Sequence, residues 1–318
     1  MTKADDSSLE PEDLRAVEER ARQLLDRASA WDRFPVPLED ILAAANVRVA
    51  QTSLFDPVAV MEYLAGKAIQ TATVVKSALG KLFGLYDSAD TLIHIDDSAI
   101  KSKSKKTFLT LHETAHHDLP VHKRMFRFFQ DSEQHLDPEI SDQFEREANN
   151  FARFALFKGN TYARYAADCK FDIKTPITLA KKFGASNYAS AREFARTHHR
   201  ACVVYILEPI EFVPGHGARA VIRRIEPSPS FVLQFGKPTD TVMTPDRCLG
   251  RILPVGRKMT RPTTLSMTDR NGAPHECVAE AFDTTHNVII LLYPVNALGK
   301  PTIILPPGFK RSFSAAVT

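Results

Sequence analysis

Two histidines four positions apart, with a glutamate directly after the first, constrain this chain more than any other feature. His112, Glu113 and His116 form an HExxH pattern. On an α-helix, positions i and i+4 lie on one face, so both imidazoles can bind one metal ion. Glu113 can then accept a proton from a water molecule at the metal without being a ligand. The pattern predicts a helix with two zinc ligands and a general base, and it requires a third ligand from elsewhere.

The residues around the motif favour a buried helix beside a strand. Residues 107–117 are predicted to form a helix that ends before Pro120, and the lysines at 101–106 are predicted to lie in a loop before it. Residues 84–86 and 91–95 are predicted to be strands joined by a turn. In zinc peptidases an edge strand at this place can pair with an extended substrate.

One candidate for the third ligand is His122. Its spacing matches the pattern HExxHxxGxxH, in which a glycine turns the chain back toward the metal. Leu119 stands at the glycine position here, and a leucine resists a left-handed turn. The match to the three-histidine pattern is therefore partial.

Glu145 is the other candidate and the favoured one. It lies on a helix predicted to run from Pro138 to about Lys158, and Asn149 follows four residues later on the same face. Asn149 is expected to accept the proton on the far nitrogen of a ligating histidine. Glu147 points to another side of this helix and is expected to be solvated. The buried stripe is expected to comprise Ile140, Phe144, Ala148, Phe151 and Ala155.

A change of residue pattern near position 200 predicts two domains. Residues 1–200 are predicted to be mostly helical, with a helix-turn-helix-like element near 176–196. Residues 201–318 contain short β-branched or apolar runs separated by Pro, Gly and Asp, among them Phe231–Phe235 and Val288–Tyr293. Such runs are typical of an antiparallel β-domain. The expected fold class is therefore α+β, with a β-rich C-terminal domain that regulates or senses.

Composition excludes several classes of protein. A net charge of +3 is too mild to indicate nucleic-acid binding by itself. The longest apolar run, residues 288–293, is far shorter than the ~20 residues of a membrane helix. No secretory signal is visible in residues 1–10, so a cytoplasmic protein is expected. Four widely spaced cysteines without a CxxC pair favour a reducing compartment: Cys169, Cys202, Cys248 and Cys277.

The sequence alone does not assign a role to several further residues. Peptide hydrolysis needs a group that stabilises the oxyanion, and the candidates are Tyr86, Tyr162, Tyr165, His117 and His135. Cys169 follows the predicted ligand helix, and a thiolate there could bind the metal, although an inert buried cysteine is the default. The basic and aromatic residues at 123–129 suit either a lid or a partner-binding loop.

Two segments together resemble the ImmA/IrrE family of zinc peptidases. They are Thr107–His116 and Glu145–Ala152, and the second matches the family context E-x-x-A-N-x-F-A. Leu179–Ser186 and Pro37–Val49 are similar to further elements of the family, and the resemblance covers roughly residues 10–200. The family often has Leu or Ile followed by Gly inside the helix motif, where this chain has Thr114 and Ala115; neither position is a ligand. After Ala155 the usual Leu-Met-Pro ending is replaced by Leu-Phe-Lys, which could change the substrate groove.

The resemblance implies a zincin-like metallopeptidase domain that binds zinc through His112, His116 and Glu145. It also implies an endopeptidase that cleaves a helix-turn-helix transcriptional repressor in a stress, DNA-damage or mobile-element/phage-defence response. Nucleic acid is a candidate activating signal. One alternative is a non-catalytic transcriptional regulator or DNA sensor that retains a structural zinc site. Loss of biological activity in a Glu113→Gln variant would separate the two. A second alternative is a toxin-like or defence-associated peptidase with a different protein target, which the genomic neighbourhood would distinguish.

Overall fold

The chain folds into two compact units. The structure is a computed structural model, and it describes residues 8–50, 84–87, 91–95, 100–123, 138–215 and 217–295. The units are Met1–His198 and His199–Thr318, so the division lies beside the boundary expected near residue 200. Helices dominate the described part of the first unit and strands that of the second, which makes the fold class α+β. The helical stretch expected within residues 56–80 and the run at 302–305 lie outside the described residues.

Helices form most of the described part of the first unit. Its first helix presents Val17, Ala21, Leu24 and Leu25 as a buried stripe, as its periodicity predicts. The helix that follows α4 was not anticipated from the sequence. The helices are α1 (Pro11–Arg27), α2 (Leu38–Ala45), α3 (Lys103–Asp118), α4 (Pro138–Phe157), α5 (Thr161–Ala167), α6 (Lys174–Phe183) and α7 (Asn187–Thr197).

A small sheet accompanies these helices. Its strands β1 (Arg48–Val49), β2 (Gly84–Asp87) and β3 (Leu92–Ile95) have the order β1-β3-β2. The strand β3 pairs with β1 in parallel and with β2 in antiparallel orientation. Both edges of β3 are therefore occupied, and the expectation that this strand offers an edge to an extended substrate is wrong.

The helix that carries the motif begins earlier than the sequence predicts. The Ser102 hydroxyl accepts a hydrogen bond from the backbone N–H of Lys105 and caps α3. Lys103, Lys105 and Lys106 consequently lie on the first turns of α3 rather than in a loop. The helix ends at Asp118, before Pro120, as predicted.

The helix α4 packs against both α3 and α1. Its residues Phe144, Ala148, Phe151 and Ala155 are buried, as the periodicity predicts. Ile140 is 41% exposed, so its predicted place in the buried stripe is wrong. It lies in the first turn of α4, outside the part of the helix that is packed.

The helices α6 and α7 form the pair that has helix-turn-helix spacing. Gly184 ends α6 with a φ of 71°, a conformation that glycine adopts without strain, and Ser186 caps α7. Every residue of α7 is buried or partly buried, and Arg196 lies near Glu193 of the same helix. The helix α7 therefore has no exposed face for a DNA groove, which favours a packing role for this pair.

An antiparallel sheet forms the core of the second unit. The strand order is β5-β6-β4-β10-β9-β8, and β7 pairs with β6. The central strands β4 and β10 are buried along almost their whole length, in agreement with their continuous apolar sequence. The strands are β4 (Val203–Leu207), β5 (Glu211–Val213), β6 (Gly217–Pro227), β7 (Val242–Met243), β8 (Thr263–Thr268), β9 (Pro274–Asp283) and β10 (Val288–Pro294).

One predicted strand of this unit is a helix. Residues Pro229–Phe235 form α8, because Pro229 occupies its first turn and the Ser228 hydroxyl accepts a hydrogen bond from the N–H of Phe231. The capping serine and the proline outweigh the β-propensity of the apolar run that follows them. In the part of the chain that the structure describes, no helix is both long and apolar enough to cross a membrane.

An ion-pair cluster holds the C-terminal end of α3 to α1. Asp118 is buried, and its carboxylate lies 2.8 Å from Arg20 Nε and 2.7 Å from Arg27 Nη2. Arg20 Nε also donates to the backbone carbonyl of Asp118, an acceptor left open at the helix end. These contacts fix the turn of α3 that carries the second histidine of the motif.

We expect Asp118→Asn to lower the free energy of unfolding by about 1–3 kcal/mol, because charge-assisted hydrogen bonds to a buried carboxylate are lost. Chemical denaturation monitored by circular dichroism measures the change. Glu19→Gln is the matched control: its ion pair with Arg22 is exposed, and the change should stay within about 0.5 kcal/mol. Equal effects of the two substitutions would contradict a special role for Asp118.

Candidate metal centre

The two histidines of the motif lie one helical turn apart on α3. His112 and His116 are 7% and 4% exposed, so both rings are removed from bulk water. Their Nε2 atoms lie 3.3 Å apart and point to one place. This arrangement is the one that the i, i+4 spacing predicts.

The packing of α4 on α3 adds a carboxylate to this pair. Glu145 Oε2 lies 3.2 Å from His112 Nε2, and Glu145 Oε1 lies 3.5 Å from His116 Nε2. The three side chains form a group in which one donor atom from each lies within 4.8 Å of the others. The side chain of Glu145 is 52% exposed, so one side of the group opens to solvent.

The spacing and chemistry of these donors fit a zinc ion. Zinc–nitrogen and zinc–oxygen bonds of about 2.0–2.2 Å in a tetrahedron place neighbouring donors roughly 3.3 Å apart. The three observed separations are 3.3, 3.2 and 3.5 Å. Two imidazoles and one carboxylate are also a donor set found in catalytic zinc sites, in which a fourth position stays open.

Asn149 lies on the far side of the first histidine. Its Oδ1 is 3.1 Å from His112 Nδ1. An amide oxygen only accepts, so Nδ1 of His112 donates to it, and in the neutral ring Nε2 is the nitrogen that carries the lone pair toward the group. This is the contact that the sequence predicts for Asn149, and its effect on a metal remains a prediction.

The structure separates the two candidates for the third position. His122 does not reach the Nε2 side of His116; its Nδ1 lies 3.1 Å from His116 Nδ1, on the opposite side of that ring. Its own Nε2 lies 2.8 Å from Glu147 Oε2. Glu145 is thus the carboxylate beside the two motif histidines, and His122 stands behind one of them.

The expectation that Glu147 is solvated is wrong. Its side chain is only 15% exposed, and Oε1 accepts a hydrogen bond of 3.0 Å from Gln143 Nε2. Two residues correspond to a rotation of about 200° around a helix, so Glu147 does point away from Glu145. The segment after α3 covers that side of α4 with His122, which no local pattern predicts.

Glu113 follows His112 on α3 and is 7% exposed. It is not part of the three-residue donor group, and its charge acts on His112 from nearby. A buried carboxylate next to the group, but outside it, is the position expected of a general base.

The charges of the group shift its pKa values in opposite directions. Burial lowers the pKa of His112, but the hydrogen bond that His112 donates to Glu145 and the charges of Glu113 and Glu145 outweigh burial and raise it above 6.5. Burial lowers the pKa of His116 to about 4. Burial would raise the pKa of Glu145, but the two histidines dominate and hold it well below its usual range. These directions favour an ion pair between protonated His112 and Glu145 in the metal-free protein, so a metal ion would replace the proton on His112 Nε2.

The other candidates for catalysis lie elsewhere or cannot be placed. The Tyr162 hydroxyl is buried against Ser190, and Tyr165 packs against Phe34. Cys169 is exposed and is not in the donor group. The His117 ring is buried near Lys123, while the Tyr86 side chain and His135 lie outside the described residues.

Comparisons with known proteins leave the family open. Neither a scan against protein-family models nor a search of curated proteins returned a match. One solved structure with a similar arrangement is described as a Mycobacterium tuberculosis transcriptional regulator. It shares 12% sequence identity, with a TM-score of 0.49 over 87% of this chain and 75% of that chain. At that level of similarity its description is not transferred to this chain.

The His112–Glu145 pair predicts a pH dependence for the metal-free protein. The contribution of His112 to stability is present below pH 6.5 and is lost as the pH rises through its raised pKa. The contribution of Glu145 is present above pH 4.5 and is lost as the pH falls through its lowered pKa. We therefore expect Glu145→Gln to lower the pKa of His112. The substitution should destabilise the metal-free protein most between pH 4.5 and pH 6.5, where both side chains are charged.

NMR titration of the imidazole signals in the presence of a chelator measures this pKa. Glu139→Gln is the control, because it removes one charge from the first turn of the same helix. An unchanged pKa of His112 in Glu145→Gln would show that the two side chains do not pair in solution.

Proposed function

We propose that this chain is a zinc-dependent endopeptidase of the ImmA/IrrE family, with a zincin-like peptidase domain within residues 1–200. The observation that carries the proposal is the spacing of the Nε2 atoms of His112 and His116 and the carboxylate of Glu145. All three separations match the edges of a zinc tetrahedron. A solvated helix with two chance histidines would not bring a carboxylate from a second helix to this place.

Zinc, when bound by these three residues, supplies Lewis-acid polarisation and makes water reactive near neutral pH. The protein supplies the geometry around it. His112 and His116 present lone pairs from a rigid helix, and Glu145 closes the third position from α4. The exposure of Glu145 leaves an approach for a substrate on the solvent side.

Glu113 and Asn149 supply the remaining functions. Glu113 takes a proton from the attacking water and passes it to the leaving amine. Its burial limits competition from bulk water and keeps it close to the reacting atoms. Asn149 holds His112 in the tautomer that keeps Nε2 unprotonated.

The proposed substrate is a protein, namely a helix-turn-helix transcriptional repressor, cut in the cytoplasm during a stress, DNA-damage or mobile-element response. The motivation is the resemblance carried by the two motif segments. The second compact unit, His199–Thr318, is the proposed place of regulatory input, for which a nucleic acid is one candidate signal. Co-expression with any helix-turn-helix repressor found to be encoded beside this chain, followed by mass spectrometry of its fragments, tests the substrate.

We expect the purified protein to contain one zinc ion per chain and Glu145→Ala to lose it. Glu113→Gln should keep the zinc and lower the peptidase rate by about 100-fold or more, because the general base is lost. Inductively coupled plasma mass spectrometry measures the zinc, and cleavage of the repressor measures the rate.

The outcomes separate the competing functions. Full biological activity of Glu113→Gln would favour a regulator with a structural zinc site. Retention of zinc by Glu145→Ala, together with its complete loss in His122→Ala, would favour the three-histidine site. A zinc-free wild type under zinc-replete conditions would overturn the proposal.

A further inference from the structure

We infer that His122 and Glu147 are positioning residues that hold the His116 ring in its metal-binding tautomer. The inference rests on the proposed zinc site and concerns the side of His116 that faces away from it. Three side chains form a continuous chain there. His116 Nδ1 lies 3.1 Å from His122 Nδ1, and His122 Nε2 lies 2.8 Å from Glu147 Oε2.

With one proton on each imidazole, the hydrogen-bonding capacities of the three groups allow one order of protons. Glu147 as a carboxylate only accepts, so His122 donates from Nε2. A neutral imidazole carries one proton, which leaves Nδ1 of His122 as an acceptor. His116 must therefore donate from its own Nδ1. The Nε2 atom of His116 is then unprotonated, and a metal ion requires that state of its ligand.

Glu147 is needed because His122 alone does not determine which nitrogen donates and which accepts in the hydrogen bond between His122 and His116. If His122 carried its proton on Nδ1, it would present an N–H toward His116 and favour a proton on His116 Nε2. The carboxylate of Glu147 excludes that alternative by demanding the proton of His122 on Nε2. The amide oxygen of Asn149 performs the equivalent task for His112 without a second residue.

Packing holds the hydrogen-bonded side chains of His122 and Glu147 in place. His122 is completely buried, and its ring stacks on Phe144 with centroids 4.0 Å apart and planes 21° apart. Gln143 donates to the other oxygen of Glu147 at 3.0 Å and fixes the carboxylate. A buried imidazole with both nitrogens directed at specific partners is costly unless each bond is made in the correct sense.

The test is the zinc affinity of a graded series of variants, measured by competition with a chromophoric chelator. His122→Phe keeps the stacked ring but offers His116 no acceptor, and we expect a 10–100-fold weaker affinity, about the effect of losing such a partner. His122→Asn keeps an acceptor near the position of Nδ1 but loses the hydrogen bond to Glu147. Its zinc affinity should therefore lie between those of His122→Phe and the wild type. Glu147→Gln should also weaken zinc binding, because an amide can either donate or accept and no longer requires the proton of His122 on Nε2.

His117→Phe is the matched control. It replaces a different buried histidine, which lies on α3 about 100° around the helix from His116, by the same residue, phenylalanine. The inference requires that this variant binds zinc as tightly as the wild type. Thermal unfolding of the metal-free variants separates a loss of fold from a loss of affinity.

A second measurement does not depend on any variant. Heteronuclear NMR of the imidazole nitrogens in the zinc-loaded wild type should show His122 protonated at Nε2 and His116 protonated at Nδ1. A proton on Nδ1 of His122 would overturn the inference even if His122→Phe failed to fold.

The results also distinguish the inference from the function on which it rests. A wild type that binds zinc while His122→Phe and Glu147→Gln bind it equally tightly would overturn the inference and leave the zinc peptidase standing. A wild type that binds no zinc would overturn both. Weaker binding in His122→Phe and Glu147→Gln, with unchanged binding in His117→Phe, supports the positioning role.

Discussion

The packing of α4 against α3 is the contact on which the rest of the site depends. The two helices are in extensive contact, and each has a completely buried alanine, Ala115 on α3 and Ala148 on α4. Without that contact the carboxylate of Glu145 would not come within 3.5 Å of both histidines. The contact between Asn149 and His112 depends on the same packing.

The polar groups at this contact are arranged on two sides of the apolar stripe of α4. Glu145 and Asn149 lie one turn apart on one side and face the Nε2 and Nδ1 atoms of His112. Glu147 lies on the other side and faces His122. Because buried polar atoms are costly without partners, each such partner restricts the tautomer of the ring that it contacts. Zinc binding by histidine depends on the tautomer, so this helix contact also decides what the site can bind.

The precision of such a site requires that α3 itself is fixed. The carboxylate of Asp118, bound by Arg20 and Arg27 of α1, holds the end of α3 that follows His116. The helix α1 also packs on α4, so the three helices support one another around the donor group. A zinc site assembled from two helices remains competent only while their relative position stays constant.

Local periodicity by itself determined which residues share a face. It was sufficient to place His112 with His116 and Glu145 with Asn149, and to predict the buried stripe of α4 from Phe144 onward. It also indicated the β-rich second unit. It did not predict the burial of Glu147 or the place of β3 between two partners, and it assigned α8 to a strand. Those features depend on which segment covers a given face, or on a single capping contact, and neither leaves a periodic signal. Helical periodicity thus identifies the donors that one helix can present together. Which donors from different helices meet depends on packing, because packing sets the distances between helix faces.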